Sequence, residues 1–180
     1  MPDFSLKALA VNPSIDLELL LENSREKDIE DPLLNRLRTE WSAWLPCLHA
    51  VHITGSAAAD SWLAVWLDEA IEKKVDCLWA EAPSKAFLYN ALAQTLCMSA
   101  VYALLPEVTA FGCAPLPPAC AALGQALKQI GLQDKGNMKR RYAVITGYPF
   151  AGGCEVCSLR GECPRLKPNG KENAAFEQFS

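Results

Sequence analysis

The sequence contains only two histidines among its 180 residues, His49 and His52. They stand three positions apart on a predicted strand, so they face opposite sides of it and cannot bind one metal ion together. Their spacing supports no Ser-His-Asp or Cys-His arrangement, and no other residue is a convincing general base or nucleophile. The sequence therefore supports no catalytic assignment, and whether the chain is an enzyme stays an open question.

Long apolar runs and targeting signals are also missing. A membrane-spanning helix needs roughly 18 unbroken apolar residues, and the stretch that comes closest, residues 86–105, is interrupted by polar side chains. A buried helix, or a helix followed by a strand, explains that stretch better. The N-terminus lacks the basic start and apolar run of a secretory signal. We therefore expect a cytoplasmic protein without membrane association.

Nucleotide-binding motifs are absent as well, since the chain has neither G-x4-G-K-[ST] nor G-x-G-x-x-G. Thr54, Gly55 and Ser56 stand between a predicted strand and a predicted helix, where backbone N–H groups could hold a phosphate or carboxylate. Asp60 and Glu81 would be nearby acids. An ordinary turn with a serine cap is the simpler interpretation, so these three residues form only a minor ligand-site candidate.

Charge is unevenly distributed along a chain whose net charge is −4. Residues 1–134 carry a balance of −8, and residues 135–180 carry a balance of +4. An acidic chain with one small basic cluster, Lys139–Arg141, argues against nucleic-acid binding. Cationic side chains in the C-terminal part would favour thiolates and could dock an acidic partner surface.

Strand-like and helix-like segments alternate through most of the sequence. We predict strands at residues 47–55, 75–80, 108–114 and 142–146, and helices at residues 14–23, 31–46, 56–74, 84–97 and 117–131. Such alternation is typical of βαβ units. The predicted fold is a single α/β domain with a largely parallel sheet flanked by helices; the alternative is a mostly α-helical fold.

The predicted domain has three parts: a helical N-terminal segment at residues 1–46, an α/β core at residues 47–150, and a metal-binding loop and tail at residues 151–180. The third part holds three of the eight cysteines. Because cytoplasmic thiols stay reduced, clustered cysteines there favour metal binding over disulfides.

The three clustered cysteines are Cys154, Cys157 and Cys163, in the spacing C-x2-C-x5-C, with a proline after the last. A C-x2-C turn brings two sulfurs toward one centre, and glycines at positions 152, 153 and 161 let the backbone fold round it. Structural zinc sites usually pair two such knuckles, whereas this chain has one. The spacing therefore favours an iron–sulfur cluster, with zinc or no metal as the alternatives.

The same spacing resembles the cluster loop that closes endonuclease III-type DNA glycosylases. It is also similar to loops of RecB-type cluster nucleases and of auxiliary-cluster domains in radical-SAM maturases. The resemblance covers about ten residues. The glycosylase loop has a further cysteine seven positions before the pair, where this chain has Gly147. The E-x-K and C-x3-C-x2-C elements of the other two groups are missing, so none of these activities is implied.

A four-iron cluster normally takes a fourth protein ligand, and topology ranks the remaining cysteines. Ligand sites of open α/β sheets form beyond the carboxyl ends of the strands. Cys113 would lie at such an end, on the rim expected for the cysteine loop, and we predict it as the fourth ligand. Cys120, in the first turn of the next predicted helix, is the alternative. Cys47 would start its strand at the opposite rim, and Cys77 and Cys97 are most simply core residues.

The sequence thus predicts a cytoplasmic protein that binds an iron–sulfur cluster, in the 4Fe–4S form. Its predicted role is electron transfer, or an accessory task in a redox or cofactor-assembly system, together with a protein partner. Two alternatives stay open. One is a structural or interaction protein stapled by zinc, and the other is a small-molecule-binding α/β protein with a structural metal.

Overall fold

The structure is a computed structural model that describes residues 4–57 and 60–163. Its centre is a four-stranded sheet in the order β1-β2-β3-β6, in which all neighbouring strands are antiparallel. The strands of this sheet are β1 (Phe4–Ala8), β2 (Leu48–Gly55), β3 (Ser61–Leu67) and β6 (Ala143–Gly147). The prediction of a largely parallel sheet is therefore wrong, although helices and strands are mixed as expected.

In the described part of the chain, five helices accompany the sheet: α1 (Leu17–Ser24), α2 (Asp31–Trp44), α3 (Glu69–Glu81), α4 (Pro83–Leu104) and α5 (Ala121–Gln129). Their ends follow local chemistry. Asp16 accepts the N–H of Leu19 at 3.0 Å and starts α1, as expected for an N-cap carboxylate. Pro32 stands in the first turn of α2, where a missing N–H costs nothing. Gly131, at φ +76°, lies just beyond α5, in the left-handed conformation that glycine adopts most easily.

A tight hairpin, β4 (Gln133–Asp134) and β5 (Asn137–Met138), separates α5 from β6. Lys135 and Gly136 form its turn, with φ values of 48° and 84°. Two successive residues with positive φ are typical of the turn that matches the twist of a hairpin. The hairpin delivers the chain to the start of β6.

Each face of the sheet packs against its own layer. On one face, Leu63, Val65 and Leu67 of β3 join a core that includes Leu37, Trp44, Val75 and Leu92 from α2, α3 and α4. On the other face, Trp62 and Ala64 pack with Ile53 and Ile145 against Leu123 and Leu127 of α5. The chain is thus a three-layer structure in which β3 is buried on both sides.

Burial on both sides explains the main error in the sequence prediction. Residues 56–74 were expected to form one helix because Trp62, Leu63, Trp66 and Leu67 recur at helical spacing. In the structure they belong to β3, and α3 starts only at Glu69. A strand covered on both faces is apolar at every position, so its period of two residues disappears.

Three further segments differ from expectation. Residues 75–80 lie within α3 and not in a strand, and residues 106–111 form a 3-10 helix followed by a loop where a strand was expected. The N-terminal segment begins with β1 before its two helices. The predicted strands at residues 47–55 and 142–146 are confirmed as β2 and β6, and the helix at residues 117–131 is confirmed as α5, starting a few residues later.

The longest helix, α4, meets the length and composition of a membrane span, but 56% of its apolar window is buried inside the protein. Cys97, Leu92 and Leu96 of this helix are buried in the core beside the sheet. Such burial is typical of the central helix of a folded core.

Candidate metal centre and adjoining cleft

Most of the predicted site residues, namely those of the cysteine loop and of the turn after β2, lie at one end, or rim, of the sheet. The register pairs Thr54 with Ser61 and Trp62 with Gly147. The turn between β2 and β3 and the segment that follows β6 therefore leave the sheet at the same end. The cysteine loop belongs to that second segment, which places it on this rim.

The cysteine loop is a series of tight turns. Cys154–Val156 form a 3-10 helix, and the N–H of Cys157 donates to the carbonyl of Cys154 at 3.3 Å. Arg160 in turn donates to Cys157 at 3.1 Å, and Cys163 donates to Arg160 at 3.5 Å. The thiol-bearing residues are half-buried, while Val156 and Leu159 between them are 43% and 51% exposed.

The loop packs against residues 111–120, a proline-rich segment that carries the other two candidate cysteines, Cys113 and Cys120. The N–H of Ser158 donates to the carbonyl of Leu116 at 2.9 Å. A side chain at Gly153 would meet the ring of Phe111, because that ring occupies the space in which a Cβ would lie. Phe111 also stacks on Phe150, with ring centroids 5.6 Å apart. Backbone and aromatic contacts therefore hold the two segments together.

The sheet is tied to the same proline-rich segment. The buried hydroxyl of Thr146, at the end of β6, donates to the carbonyl of Pro115 at 2.9 Å. Cys113 was placed on this rim because residues 108–114 were expected to form a parallel strand, and that reason is wrong. The segment reaches the rim through these loop contacts instead.

Among residues 4–57 and 60–163, no three histidine, cysteine, aspartate or glutamate side chains are grouped closely enough to hold a metal ion. Ligation by Cys154, Cys157, Cys163 and Cys113 stays a prediction. It requires the loop to tighten when metal binds, as is common where metal binding is coupled to folding.

The two candidates for the fourth ligand differ in their surroundings. Cys113 is half-buried and follows Gly112, whose φ of 64° turns the chain at this point. Cys120 is exposed and is the N-cap residue of α5, where its sulfur accepts the N–H of Leu123 at 3.5 Å. The thiol of Cys120 thus already has a structural task at the start of α5.

The remaining cysteines lie elsewhere. Cys47 precedes β2 at the opposite end of the sheet, as expected. Cys77 is exposed on α3, contrary to the expectation of a core residue. Cys97 is a core residue, as predicted: it is buried on α4 and its thiol donates to the carbonyl of Tyr142 at 3.6 Å.

The buried thiol of Cys97 makes stability depend on alkaline pH. Burial raises the pKa of Cys97 from 9.0 to about 12, so above pH 9 the unfolded chain loses this proton while the folded chain retains it. Its contribution to stability is complete below pH 9 and declines between pH 9 and about 12. We expect Cys97→Ala to make the alkaline fall in the free energy of unfolding shallower, by at most about 1.4 kcal/mol per pH unit.

Urea unfolding at about pH 8, 9.5 and 10.5 gives the free energy of unfolding at each pH, and hence its dependence on pH. Cys77→Ala, at an exposed thiol of the same chemistry, is the matched control and should leave the slope unchanged. Equal slopes in wild type and Cys97→Ala would contradict the assignment.

The basic turn lies away from the cysteine loop. Arg140 and Arg141 precede β6, whose five residues separate them from the loop by about 16 Å. Arg141 pairs with Asp76 at 2.8 Å and Arg140 with Glu69 at 3.7 Å. These ion pairs connect the start of β6 to α3.

Thr54, Gly55 and Ser56 occupy the end of β2 and the hairpin turn. The helix start that was expected to supply N–H donors there is absent, because β3 follows the turn. That argument for a phosphate or carboxylate site is therefore removed, although the three residues stay close to the rim that bears the cysteine loop.

The structure reveals a pair that sequence spacing did not. His52 Nε2 lies 2.8 Å from Ser61 Oγ and 3.2 Å from Thr54 Oγ1, and the His52 ring packs on Tyr148 with centroids 4.7 Å apart. Recognition of the β2–β3 hairpin would have found this pair, because its register sets these side chains on one face of the sheet.

A cleft of about 520 Å³ opens at this rim between the sheet, the proline-rich segment and the cysteine loop. Rings dominate its lining: Trp62, Pro115, Pro117, Pro118, Tyr148 and Phe150. Asp60, Ser61 and Cys120 contribute polar atoms. Comparison with protein families, curated proteins and solved structures gave no match to this chain.

Proposed function

We propose that the protein binds a 4Fe–4S cluster through Cys154, Cys157, Cys163 and Cys113 and passes electrons to a protein partner in the cytoplasm. One observation carries the proposal. The C-x2-C-x5-C loop is docked on the proline-rich segment through the 2.9 Å hydrogen bond from Ser158 to Leu116. Cysteines separated by about forty positions in the sequence are thereby brought to one rim.

The composition of the loop suits a cluster. Thiolates are the ligands that iron–sulfur clusters use, and backbone N–H groups that donate to sulfur tune their potential. Glycine is required at position 153, because the Phe111 ring fills the space that a side chain would need. Its N–H donates to the Glu155 carboxylate at 2.8 Å, and the backbone hydrogen bonds of Glu155 and Gly153 lower the pKa of Glu155. The loop thus already presents N–H groups to negative charge.

The position of the loop suits electron transfer. Val156 and Leu159 are exposed apolar residues inside the cysteine spacing, so a cluster held there would lie directly beneath the protein surface. A small apolar patch around a redox centre favours brief contact with a partner protein. An accessory role in cofactor assembly would use the same exposed loop.

Metal analysis of protein prepared without oxygen tests the proposal. We expect about four iron and four sulfide per chain, a brown colour, and loss of the visible absorption on reduction with dithionite. One zinc per chain in colourless protein would establish the zinc-stapled alternative. Protein without bound metal, even after reconstitution with iron and sulfide, would also contradict the proposal.

A further inference from the structure

The cleft beside the cysteine loop has the size and lining of a small-molecule site. Its volume of about 520 Å³ lies within the range of roughly 300–1,000 Å³ that is typical of ligand pockets. Trp62 and Tyr148 provide aromatic surfaces from the ends of β3 and β6, and Pro115 and Pro117 provide flat aliphatic surfaces from the loop before α5. Such surfaces suit a flat ring system.

The hairpin end of the cleft is polar. Asp60 and Ser61 line it, and Ser61 Oγ is held by His52 Nε2 at 2.8 Å. The Asp60 carboxylate makes no hydrogen bond or ion pair with any other residue in the described ranges 4–57 and 60–163. Its place depends on Gly55, since a Cβ at that position would lie 2.5 Å from the Asp60 Cβ. The carboxylate of Asp60 can therefore accept hydrogen bonds from a ligand in the cleft.

From this geometry we propose that the cleft binds a flat heteroaromatic molecule that carries N–H donors on one edge, the chemistry shared by flavin, pterin and purine rings. The ring system packs against the proline and aromatic surfaces. Its N–H edge donates to the Asp60 carboxylate, with the Ser61 hydroxyl beside it. Hydrogen bonds to a charged acceptor are among the stronger ones, so Asp60 sets the specificity.

A quinone fits this cleft less well. A naphthoquinone fills a similar space but carries only acceptors on its polar edges, which would leave the Asp60 carboxylate without a donor. The cleft accordingly favours a ring system that carries N–H donors.

Riboflavin, whose ring has an N–H between two carbonyls, is the probe that tests the proposal. Titration of the full chain should quench riboflavin fluorescence saturably with one site per chain, because Trp62 and Tyr148 line the cleft. Menadione, a naphthoquinone, should bind at least about tenfold more weakly, as expected for the loss of one charge-assisted hydrogen bond.

Two variants and a control locate the site. Asp60→Asn keeps the size of the side chain and should weaken riboflavin binding by about tenfold or more. Ala151→Trp, at an exposed position that lines the cleft, should fill it and abolish binding. Ala110→Trp, at an exposed position outside the lining, should bind as wild type does. Circular dichroism checks that each variant is folded.

Each result decides the proposal. Saturable riboflavin binding that Asp60→Asn weakens and Ala151→Trp abolishes supports it. Absence of riboflavin binding to folded wild-type protein overturns it, as does binding that both variants leave unchanged or a preference for menadione. The experiment is run on protein with and without metal, because Gly152 and Val156 of the cysteine loop line the cleft. Riboflavin binding to metal-free protein supports the cleft proposal even if no iron is found, which separates the two proposals.

Discussion

Replacement of Cys157 by serine is expected to remove the metal from the protein. Cys157 joins two consecutive turns of the loop, since its N–H donates to the carbonyl of Cys154 and its carbonyl accepts from the N–H of Arg160. It also supplies one of the two sulfurs of the C-x2-C pair. A serine hydroxyl keeps the shape but is a poor ligand for iron. Loss of an outer-shell contact already lowers metal affinity about 10–100-fold, and loss of a direct ligand has a larger effect.

Iron and sulfide content, measured on wild type and Cys157→Ser prepared side by side without oxygen, checks this prediction. Cys77→Ser is the matched control, because Cys77 is an exposed cysteine on α3 and lies outside the loop. Cys77→Ser should retain the full iron content. Equal iron in the two variants would mean that the loop does not hold the metal.

The same measurement ranks the two candidates for the fourth ligand. Cys113→Ser should lower the iron content, whereas Cys120→Ser should leave it intact. Serine at position 120 can still accept the Leu123 N–H that the Cys120 sulfur accepts now, and serine is among the best N-cap residues. Loss of iron only in Cys120→Ser would reverse the assignment and place the cluster at the cleft, which Cys120 lines.

Truncation of Leu63 is expected to have the largest effect on stability. Leu63 is fully buried in the middle of β3 and packs in the core beneath the α4 side of the sheet. Leu63→Ala should lower the free energy of unfolding by about 2–5 kcal/mol, because it removes buried apolar surface and leaves a cavity. That loss is a large part of the about 5–15 kcal/mol typical of a folded domain.

Urea denaturation followed by circular dichroism measures the loss at Leu63. Leu159→Ala makes the same chemical change at a side chain that is 51% exposed, and it should shift the free energy of unfolding by no more than about 0.5 kcal/mol. Similar effects of the two substitutions would show that residue 63 is not in the core, and the assignment of residues 61–67 to a doubly covered strand would be wrong.

Local signals in the sequence predicted several elements correctly. The branched residues of 47–55 and 142–146 predicted β2 and β6, and Asp31 with Pro32 predicted the start of α2. Pro117 and Pro118 before the helix and Gly131 after it predicted α5. These signals work because capping, proline geometry and β-branching act within a few residues of the chain, so they do not depend on the remainder of the fold.

The cysteine spacing is a local signal of the same kind. It points to the same candidate ligands whether the sheet is parallel or antiparallel, because C-x2-C-x5-C is a property of one loop. Residues 111 and 116, close to Cys113 in the sequence, do contact the loop, but the strand from which that neighbourhood was inferred is not formed. Contacts of Thr146, Ser158 and Phe111 bring the proline-rich segment there, and none of them has a signature in the sequence.

Packing between the layers determines three features: the direction of the strands, the cleft and the His52–Ser61 pair. Residues 61–67 have an apolar pattern that a helix and a doubly covered strand share, and the choice depends on whether α5 covers the second face of the sheet. Cross-strand pairs and clefts join residues far apart in the chain, so their energy comes from packing between elements. Short-range chemistry thus set the ends of helices and the spacing of the cysteines, while long-range burial set the topology and the cleft.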